Sequence, residues 1–399
     1  MTIDRLLELH DLARQDGLRY ERRRQAFEAV TGDIGRHHLG LVGPRGVGKT
    51  VLLRQYAAAH EGAFYLSMDA LDPEDDPWDT LRTLHERYGY GCLLLDEVHF
   101  LPDATALLKR LYDFLDVRVV FTSSVALAMR ASAHDLSRRV RLVELRTFSF
   151  REYLRFSHGL ELEPLDLETV VDGAWSPAHL RVGRHFDGYL LGGGLLPYAL
   201  DEPDPFPLLA NILDKVVARD LPTVVRLAVD ELDHIRRLLR FLGRSGVDGI
   251  SYSSLSRNLG ITKYKAEQYV DCLEQAFVVH RIMPVGTNVL REPKILLAPP
   301  CRLLYREPED CIGGLREDYF VEALRQGGIP FDYLKGTRGQ KTPDYLVTCG
   351  GKRMAVEVGG RSKGREQFKG VEVDRKVVFA HGDALQEGVV PLFMAGFLA

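Results

Sequence analysis

GPRGVGKT, residues 43–50, is the stretch that decides the fold of the first part of this chain. It matches the pattern G-x-x-x-x-G-K-[ST] in full, and it lies between an apolar run, LGLV at 39–42, and a helical pattern, TVLLRQYAAAH at 50–60. Its glycines let the loop wrap so that backbone N–H groups point inward at phosphate oxygens, and the helix that follows adds its positive N-terminus. The segment therefore predicts a phosphate-binding loop on an α/β sheet.

The same loop predicts a site for ATP and Mg²⁺. We expect Lys49 to bridge the β- and γ-phosphates and the Thr50 hydroxyl to ligate the metal ion. The residues expected to contact the nucleotide form the loop and the first turn of its helix: Gly43, Pro44, Arg45, Gly46, Val47, Gly48, Lys49, Thr50 and Val51.

A second motif, LLLDEVH at 93–99, supplies the acidic half of this site. An apolar strand delivers two carboxylates at its end, where they do not serve packing because an unpaired buried charge is very costly. We predict that Asp96 holds Mg²⁺ and that Glu97 is the general base for the attacking water. The adjacent acid indicates hydrolysis as well as binding.

Short apolar runs alternate with helical patterns from residue 38 to 145, which is typical of buried parallel strands in βαβ units. The predicted strands are LGLVG (39–43), AFYLSMD (63–69), CLLLDE (92–97), VRVVFTSS (117–124) and VRLVEL (140–145).

Two further features fall near the predicted phosphate site. The hydroxyls of residues 122–124 end a strand, where a sensor of the γ-phosphate would sit, although hydroxyls at strand ends are commonplace. Arg138 and Arg139 precede the fifth strand and could either reach a phosphate across a subunit interface or form a solvated basic pair.

The order of these motifs resembles a family, the prokaryotic AAA+-type ATPases that carry a C-terminal domain of unknown function. The resemblance rests on GPRGVGKT, LLLDEVH, VVFTSS, DLSRRV, SFREYL, GGGLLP and SYSSLSRNLGITKYKAEQYVDCLEQAF, and it covers nearly the whole chain. It implies ATP binding and hydrolysis, and it favours Arg139 over Arg138 as the catalytic arginine. Arg138 stands where a glycine is usual, and GGGLLP is one residue longer than the usual G-G-x-P turn.

The fold class expected for the whole chain is α/β: a P-loop NTPase parallel sheet, a helical lid, a winged-helix segment and a C-terminal α/β nuclease-like domain. We place the ATPase core at 1–155, the lid at 156–235, the winged helix at 236–305 and the last domain at 306–399. Residues 250–285 read as helix, turn, helix and β-ribbon, which is winged-helix order. Lys263, Lys265 and the wing arginines Arg281 and Arg291 are candidates for DNA contacts, but acidic residues line the same helix and winged helices on ATPase cores often serve only for packing.

In the last domain, Glu317, Asp344 and Glu357 follow the spacing of PD-(D/E)xK nucleases, in which carboxylates bind a divalent metal and a lysine orients the nucleophilic water. They are the candidates for a second metal site. Gly359 occupies the lysine position, which favours an inactive nuclease-like fold, although Lys363 or Lys369 could reach back. The basic run at 361–369 is either a phosphate-backbone contact or a solvated loop.

Composition is that of a soluble globular protein: 399 residues, a formal charge of −4 and five cysteines without a C-x-x-C pair. Neither a signal peptide nor a membrane span is expected, and we predict a cytoplasmic protein.

The function that the sequence favours is that of an ATPase that couples nucleotide state to rearrangement of its C-terminal domains. ATP and ADP are its expected ligands, DNA is a further candidate partner, and a catalytic arginine acting between subunits would imply a homo-oligomer. The alternatives are an ATP-gated DNA nuclease or remodeller and a slow signalling switch that binds a protein.

Overall fold

A computed structural model describes residues 2–33, 35–72, 74–125, 136, 138–246, 250–286, 292–334, 342–360, 366–382 and 386–398. Contacts divide the chain into two compact units, where four parts were predicted. The first unit joins Met1–Arg146 to Lys215–Leu227, and the second joins Thr147–Asp214 to Ala228–Ala399. The predicted ATPase core, 1–155, therefore ends nine residues after the first segment of this unit, and the second segment of the unit lies within the predicted lid.

The first unit is built on a parallel five-stranded sheet with the order β2-β3-β4-β1-β5. This confirms the predicted parallel α/β sheet. Its fifth strand is partly exposed and not buried as predicted, because it lies at the sheet edge with β1 as its neighbour. The strands are β1 (His38–Val42), β2 (Ala63–Ser67), β3 (Cys92–Asp96), β4 (Arg118–Ser123) and β5 (Val140–Glu144).

Helices connect these strands, and local caps fix where several of them begin. Asp76 accepts a hydrogen bond from the Trp78 N–H and precedes Pro77 at the first helical position, and Asp103 caps the next helix in the same way through Ala106. The helices are α1 (Ile3–Leu18), α2 (Ala26–Thr31), α3 (Lys49–Ala59), α4 (Pro77–Glu86) and α5 (Ala104–Phe114).

Short helices follow β5, from Phe150 at the end of the predicted core through the range predicted as the lid. Ser149 and Glu152 form a capping box at the first of them. These helices are α6 (Phe150–His158), α7 (Leu167–Asp172), α8 (Pro177–Arg181), α9 (Phe186–Leu190) and α10 (Phe206–Lys215). A π-helical turn, Val216–Asp220, and α11 (Leu221–Val224) come next, and both belong to the first unit.

The second unit continues with a long helix and then with the helix, turn, helix and hairpin order predicted for 250–285, although the second strand of the hairpin lies beyond residue 285. Gly260 ends α13 in a left-handed conformation, φ +67°, and Thr262 caps α14. The order helix, turn, helix, antiparallel hairpin is present, and its identity as a winged helix stays a prediction. The elements are α12 (Val229–Arg244), α13 (Tyr252–Leu259), α14 (Lys263–Gln275), β6 (Val279–Ile282) and β7 (Lys294–Leu297).

The chain ends in a helix and a mixed five-stranded sheet with the order β12-β11-β10-β9-β8. β10 pairs antiparallel with β9 and parallel with β11, and α15 packs its apolar residues on one face of the sheet. The nuclease-like identity of this module stays a prediction. The elements are α15 (Pro308–Gln326), β8 (Phe331–Tyr333), β9 (Tyr345–Cys349), β10 (Lys352–Gly360), β11 (Arg375–His381) and β12 (Val389–Pro391).

Candidate nucleotide-binding site

The loop between β1 and α3 has the backbone that a phosphate cradle requires. Gly46 and Gly48 adopt φ +84° and +91°, which side-chain-bearing residues rarely reach. Gly43 lies so close to the chain after β5 that an added Cβ would stand 1.9 Å from the Leu145 carbonyl oxygen. The loop is also tied down from behind, because Arg24 donates to the Val47 carbonyl at 2.8 Å. Sequence reasoning missed Arg24, which lies outside the motif.

Lys49 is buried in this loop, with 5% of its surface exposed. Its Nζ donates to the carbonyl oxygens of Gly43 and Pro44, at 2.8 Å each. Burial lowers the pKa of Lys49 to about 8, and the neighbouring Glu97 and Asp96 carboxylates oppose that shift. A buried cation whose hydrogen bonds go to loop carbonyls is suited to an anionic ligand in the loop. Thr50 and Val51 follow it in the first turn of α3, where both are partly buried.

Asp96 ends β3 and is held by two hydroxyls. The Tyr65 hydroxyl donates to Oδ2 at 2.8 Å, and the Thr122 hydroxyl donates to Oδ1. The predicted sensor position at Thr122 therefore serves to orient Asp96 in this structure. Tyr65 was missed because it lies 31 residues before Asp96 on the neighbouring strand β2.

Glu97 follows directly in a left-handed backbone conformation, φ +57°, and its N–H donates to the Thr122 hydroxyl at 2.9 Å. Burial raises the pKa of its carboxyl group, and the Lys49 charge opposes this shift. Its Oε2 is buried and makes no hydrogen bond within the described part of the chain, although His99 Nε2 lies 3.3 Å away. A buried carboxylate oxygen without a hydrogen bond, beside Lys49 and Asp96, fits a site for water near a metal-bound phosphate.

A polar network continues from Glu97 into the segment 215–227. Burial lowers the pKa of His99 to about 4, and its Nε2 lies 3.2 Å from the Ser124 hydroxyl. Ser124 in turn donates to Asp220, which forms an ion pair with Arg45 of the loop. Asp220 carries no sequence signal of its own, since it belongs to no motif and lies 175 residues after Arg45.

The predicted catalytic arginine lies outside this group of residues in the structure. Arg139 donates to both carboxylate oxygens of Asp113, at 2.9 and 3.1 Å, and its guanidinium lies near the Tyr112 ring. Arg138 is exposed. A role for Arg139 across a subunit interface stays a prediction.

The second predicted metal site involves carboxylates from three parts of the chain. No group of three or more His, Cys, Asp or Glu side chains that could hold a metal ion occurs in the described residues, which include Glu317, Asp344 and Glu357. On β10 the side chains alternate: Val356 and Val358 pack on the α15 face, which leaves Glu357 for the opposite face. Glu317 and Asp344 interact electrostatically, whereas Glu357 does not form a group of three with them, and a metal there stays a prediction.

Glu317 is paired with a buried lysine. Lys294 of β7 forms an ion pair with Glu317, and the Tyr345 hydroxyl donates to Glu317 Oε1 at 2.8 Å. The Asp344 carboxylate accepts from the Val358 N–H at 2.8 Å. Sequence reasoning looked for the lysine after Gly359 and missed Lys294, while Lys363 and most of the basic run lie outside the described residues.

The described cations predicted to contact DNA, on α14 and in the wing, are paired within the chain. Lys263 pairs with Glu292 at 2.6 Å, Lys265 pairs with Glu231, and Arg281 pairs with Asp271 and Glu274 at 3.2 and 2.8 Å. Arg291 lies outside the described residues.

Two family models match parts of this chain. Residues 35–154 match the family model described as an AAA domain, and residues 183–298 match a domain of unknown function, DUF8612. Residues 35–154 are therefore similar to an AAA domain, and they contain the parallel sheet and the phosphate-loop motif described above. Within the described residues, no helix is both long and apolar enough to cross a membrane.

Two individual proteins align with most of the chain. An uncharacterized protein of Methanocaldococcus jannaschii is 28% identical over 370 residues, which span 83% of this chain and 77% of the relative. The structure of C. elegans PCH-2 aligns with 65% of this chain and 67% of its own at 15% identity. Its TM-score of 0.25 is too low to establish a common fold.

Proposed function

We propose that this protein is an ATP hydrolase that uses Mg²⁺ and couples the state of its nucleotide site to the second unit. Residues 43–51 would hold the phosphates, and Lys49 would neutralise their charge at the β- and γ-positions. Mg²⁺, held by Thr50 and Asp96, would neutralise charge on the phosphate oxygens when it is bound. Glu97 would accept the proton of the attacking water.

One observation supports this proposal above the others: buried Lys49 and Asp96 and partly buried Glu97 interact electrostatically where β1 and β3 end. Ligands of open parallel sheets bind at these carboxyl ends. Each of these charges is costly to bury without a ligand or partner of opposite sign. The raised pKa of Glu97 supports its role as a base, because a base accepts a proton best when its pKa approaches the working pH.

The test is ATP turnover and ATP binding, measured separately for three variants. Glu97→Gln should lower kcat by about a hundredfold or more while ATP still binds, since general base catalysis contributes about 10²–10⁴-fold. Lys49→Ala should weaken ATP binding. Glu86→Gln changes an exposed carboxylate at the end of α4 and is the matched control.

Two results would contradict the proposal. If Glu97→Gln hydrolyses ATP at the wild-type rate, Glu97 is not the base. If the wild-type protein neither binds nor hydrolyses ATP in the presence of Mg²⁺, the proposed activity itself is wrong.

Coupling to the second unit is supported by the path of the chain. Segment 215–227 contributes to the first unit, yet the residues on both sides of it, Asp214 and Ala228, belong to the second. A change in this segment would pass into the second unit along the chain in both directions.

The proposal also includes a homo-oligomer in which Arg139 acts between subunits. ATP turnover per subunit that rises with protein concentration, and that falls in Arg139→Ala, would support both.

A further inference from the structure

Asp220 is a buried carboxylate at the nucleotide site that none of the sequence motifs includes. It ends the π-helical turn Val216–Asp220, and its side chain has no exposed surface. Such a turn inserts one extra residue per helical turn and is often found at functional positions. Asp220 interacts electrostatically with Lys49, Glu97 and His99 as well as with its direct partners.

Three contacts attach the segment 215–227 to the nucleotide site. Arg45 Nη1 donates to both oxygens of Asp220, at 3.0 and 3.1 Å. The Ser124 hydroxyl at the end of β4 donates to Asp220 Oδ2 at 3.3 Å. Arg219 lies over the Phe100 ring, 4.4 Å from its centroid, in the turn that follows Glu97. The segment is therefore bound to the phosphate loop, to β4 and to the acidic motif.

Arg45 is the member of this group that has a second possible partner. It lies in the phosphate loop and is partly exposed, with 23% of its side-chain surface accessible, whereas Asp220 is fully buried. Arginine binds phosphate oxygens strongly, and a terminal phosphate offers more acceptor oxygens and more charge than one carboxylate. Removing the partner of a buried ion pair leaves an uncompensated buried charge, which is strongly destabilising. If Arg45 turns to a phosphate, Asp220 is therefore no longer stable in its buried position.

We propose that the Arg45–Asp220 ion pair is a latch that ATP opens. The terminal phosphate competes with Asp220 for Arg45, and the loss of that pair releases segment 215–227 from the nucleotide site. ADP has no terminal phosphate in this position and leaves the latch closed. This inference rests on the proposed ATP binding, and it names the element that carries the nucleotide state along the chain into the second unit.

The direct test is amide hydrogen exchange of residues 216–224 in the full-length protein. Exchange is compared without nucleotide, with ADP, and with Mg²⁺ and a non-hydrolysable ATP analogue, at concentrations shown by calorimetry to saturate binding. We expect the analogue to speed exchange of this segment by about tenfold or more, because local opening governs exchange, and we expect ADP to leave it unchanged. In Arg45→Gln and in Asp220→Asn, exchange should be fast without nucleotide and should not respond to the analogue.

Binding of the analogue gives a second readout with opposite signs for the two partners. Asp220→Asn removes the competitor for Arg45, so the Kd for the analogue should fall about three- to tenfold, whereas the Kd for ADP should not change. Arg45→Gln removes the phosphate contact, so the Kd should rise about tenfold, which corresponds to 1.4 kcal/mol. An ion pair with only a structural role would weaken binding in both variants. Asp214→Asn, which alters an exposed ion pair with Arg236 just before the segment, is the control.

The outcomes separate this inference from the proposed function. If the analogue binds but exchange at 216–224 is unchanged or slower, the latch is wrong and ATP binding stands. If Asp220→Asn weakens binding of the analogue, the latch is also wrong. If the analogue does not bind the wild-type protein, the proposed function fails and the latch fails with it.

Discussion

Glu97 shows how a single residue is held in an unfavourable conformation at the site. A left-handed backbone costs a residue other than glycine about 1–3 kcal/mol, and it persists only where the surroundings enforce it. Here the Thr122 hydroxyl binds both the Glu97 N–H and the Asp96 carboxylate, and so it fixes the two adjacent acids together. This arrangement presents two consecutive carboxylates at one strand end in fixed positions.

His10 leads to a prediction of how the stability of the first unit depends on pH. Its Nδ1 accepts the Tyr65 N–H at 3.1 Å, and its ring stacks on Phe64. Burial lowers the pKa of His10 from 6.5 to about 4, so the folded state favours the neutral ring. The stability that the neutral His10 ring contributes to the folded state is fully present above pH 6.5 and is lost as pH falls from 6.5 towards 4. Its upper limit is about 3 kcal/mol. We expect His10→Asn to flatten the dependence of unfolding free energy on pH in this range.

The measurement can be confined to the first unit because the chain has only two tryptophans, Trp78 and Trp175. In a Trp175→Phe background, the fluorescence of Trp78 reports urea unfolding of the first unit alone. His60→Asn, at an exposed position, is the control and should keep the wild-type slope. An unchanged slope in His10→Asn would show that other groups cause the acid sensitivity.

At the residue scale, the sequence motifs predicted the site residues that lie within a motif. They missed the site residues that come from distant elements of the fold. Lys49 and the Asp96–Glu97 pair stand in patterns whose spacing carries their chemistry. Tyr65 and Asp220 have no such pattern, because each reaches the site from another element. A single sequence does not reveal such pairings, since they depend on the register of β2 against β3 and on the return of the segment 215–227.

Among the elements, α1 depends on one glycine for its packing on α3. An added Cβ at Gly17 would stand 2.3 Å from the Arg54 carbonyl oxygen and 2.9 Å from the Gln55 nitrogen. Both are backbone atoms within α3, so they cannot yield as a flexible side chain does. The close approach also brings Asp16 to within 2.6 Å of the Arg54 guanidinium.

We expect Gly17→Ala to destabilise the first unit by about 1–3 kcal/mol, the usual cost of overpacking. Alanine gains about 1 kcal/mol of helix propensity over glycine, so the net loss falls at the lower end of this range. The urea midpoint followed through Trp78 measures the effect. Gly62→Ala, where no atom lies within 4 Å of an added Cβ, is the matched control. Equal midpoints for the two variants would contradict this account of the α1–α3 contact.

Elements with a clear periodicity were predictable and irregular ones were not. All five strands of the first sheet lie where the apolar runs placed them, because buried parallel strands have continuous apolar sequences. The π-helical turn at 216–220 gave no such pattern, since its sequence VVARD also suits an ordinary helix. The edge position of β5 likewise depends on topology and not on composition.

At the scale of the whole molecule, no sequence pattern indicates that the first unit is built from two separate segments. Domain boundaries were placed where the strand pattern fades and proline increases, which assumes that each domain is continuous. The segment 215–227 breaks this assumption, because its burial against the nucleotide site outweighs its position within the predicted lid. The second unit is interrupted in the same way, because the segment 215–227 divides it into two parts.

Charge distribution over the whole chain leads to a prediction about DNA. The formal charge is −4, and the cations of α14 face carboxylates of their own chain. Exposed ion pairs are individually weak, about 0–1 kcal/mol. A DNA phosphate that displaces the carboxylate from one of these lysines is nevertheless repelled by that carboxylate, which stays nearby. Binding of DNA through this helix therefore gains little from counterion release.

We expect the wild-type protein to bind a 20-base-pair duplex no more tightly than the non-specific range of about 10⁻⁴–10⁻⁶ M at physiological salt. The double variant Lys263→Ala/Lys265→Ala should change this affinity by less than about twofold, as should Lys352→Ala on β10, which is the control. Fluorescence anisotropy at several salt concentrations measures the affinity and its salt dependence. Submicromolar binding that the double variant abolishes, with a steep salt dependence that Lys352→Ala leaves intact, would instead establish α14 as a DNA-binding helix. In that case the ion pairs with Glu292 and Glu231 would open on binding, and the same titration repeated with ATP would show whether the nucleotide site controls that surface.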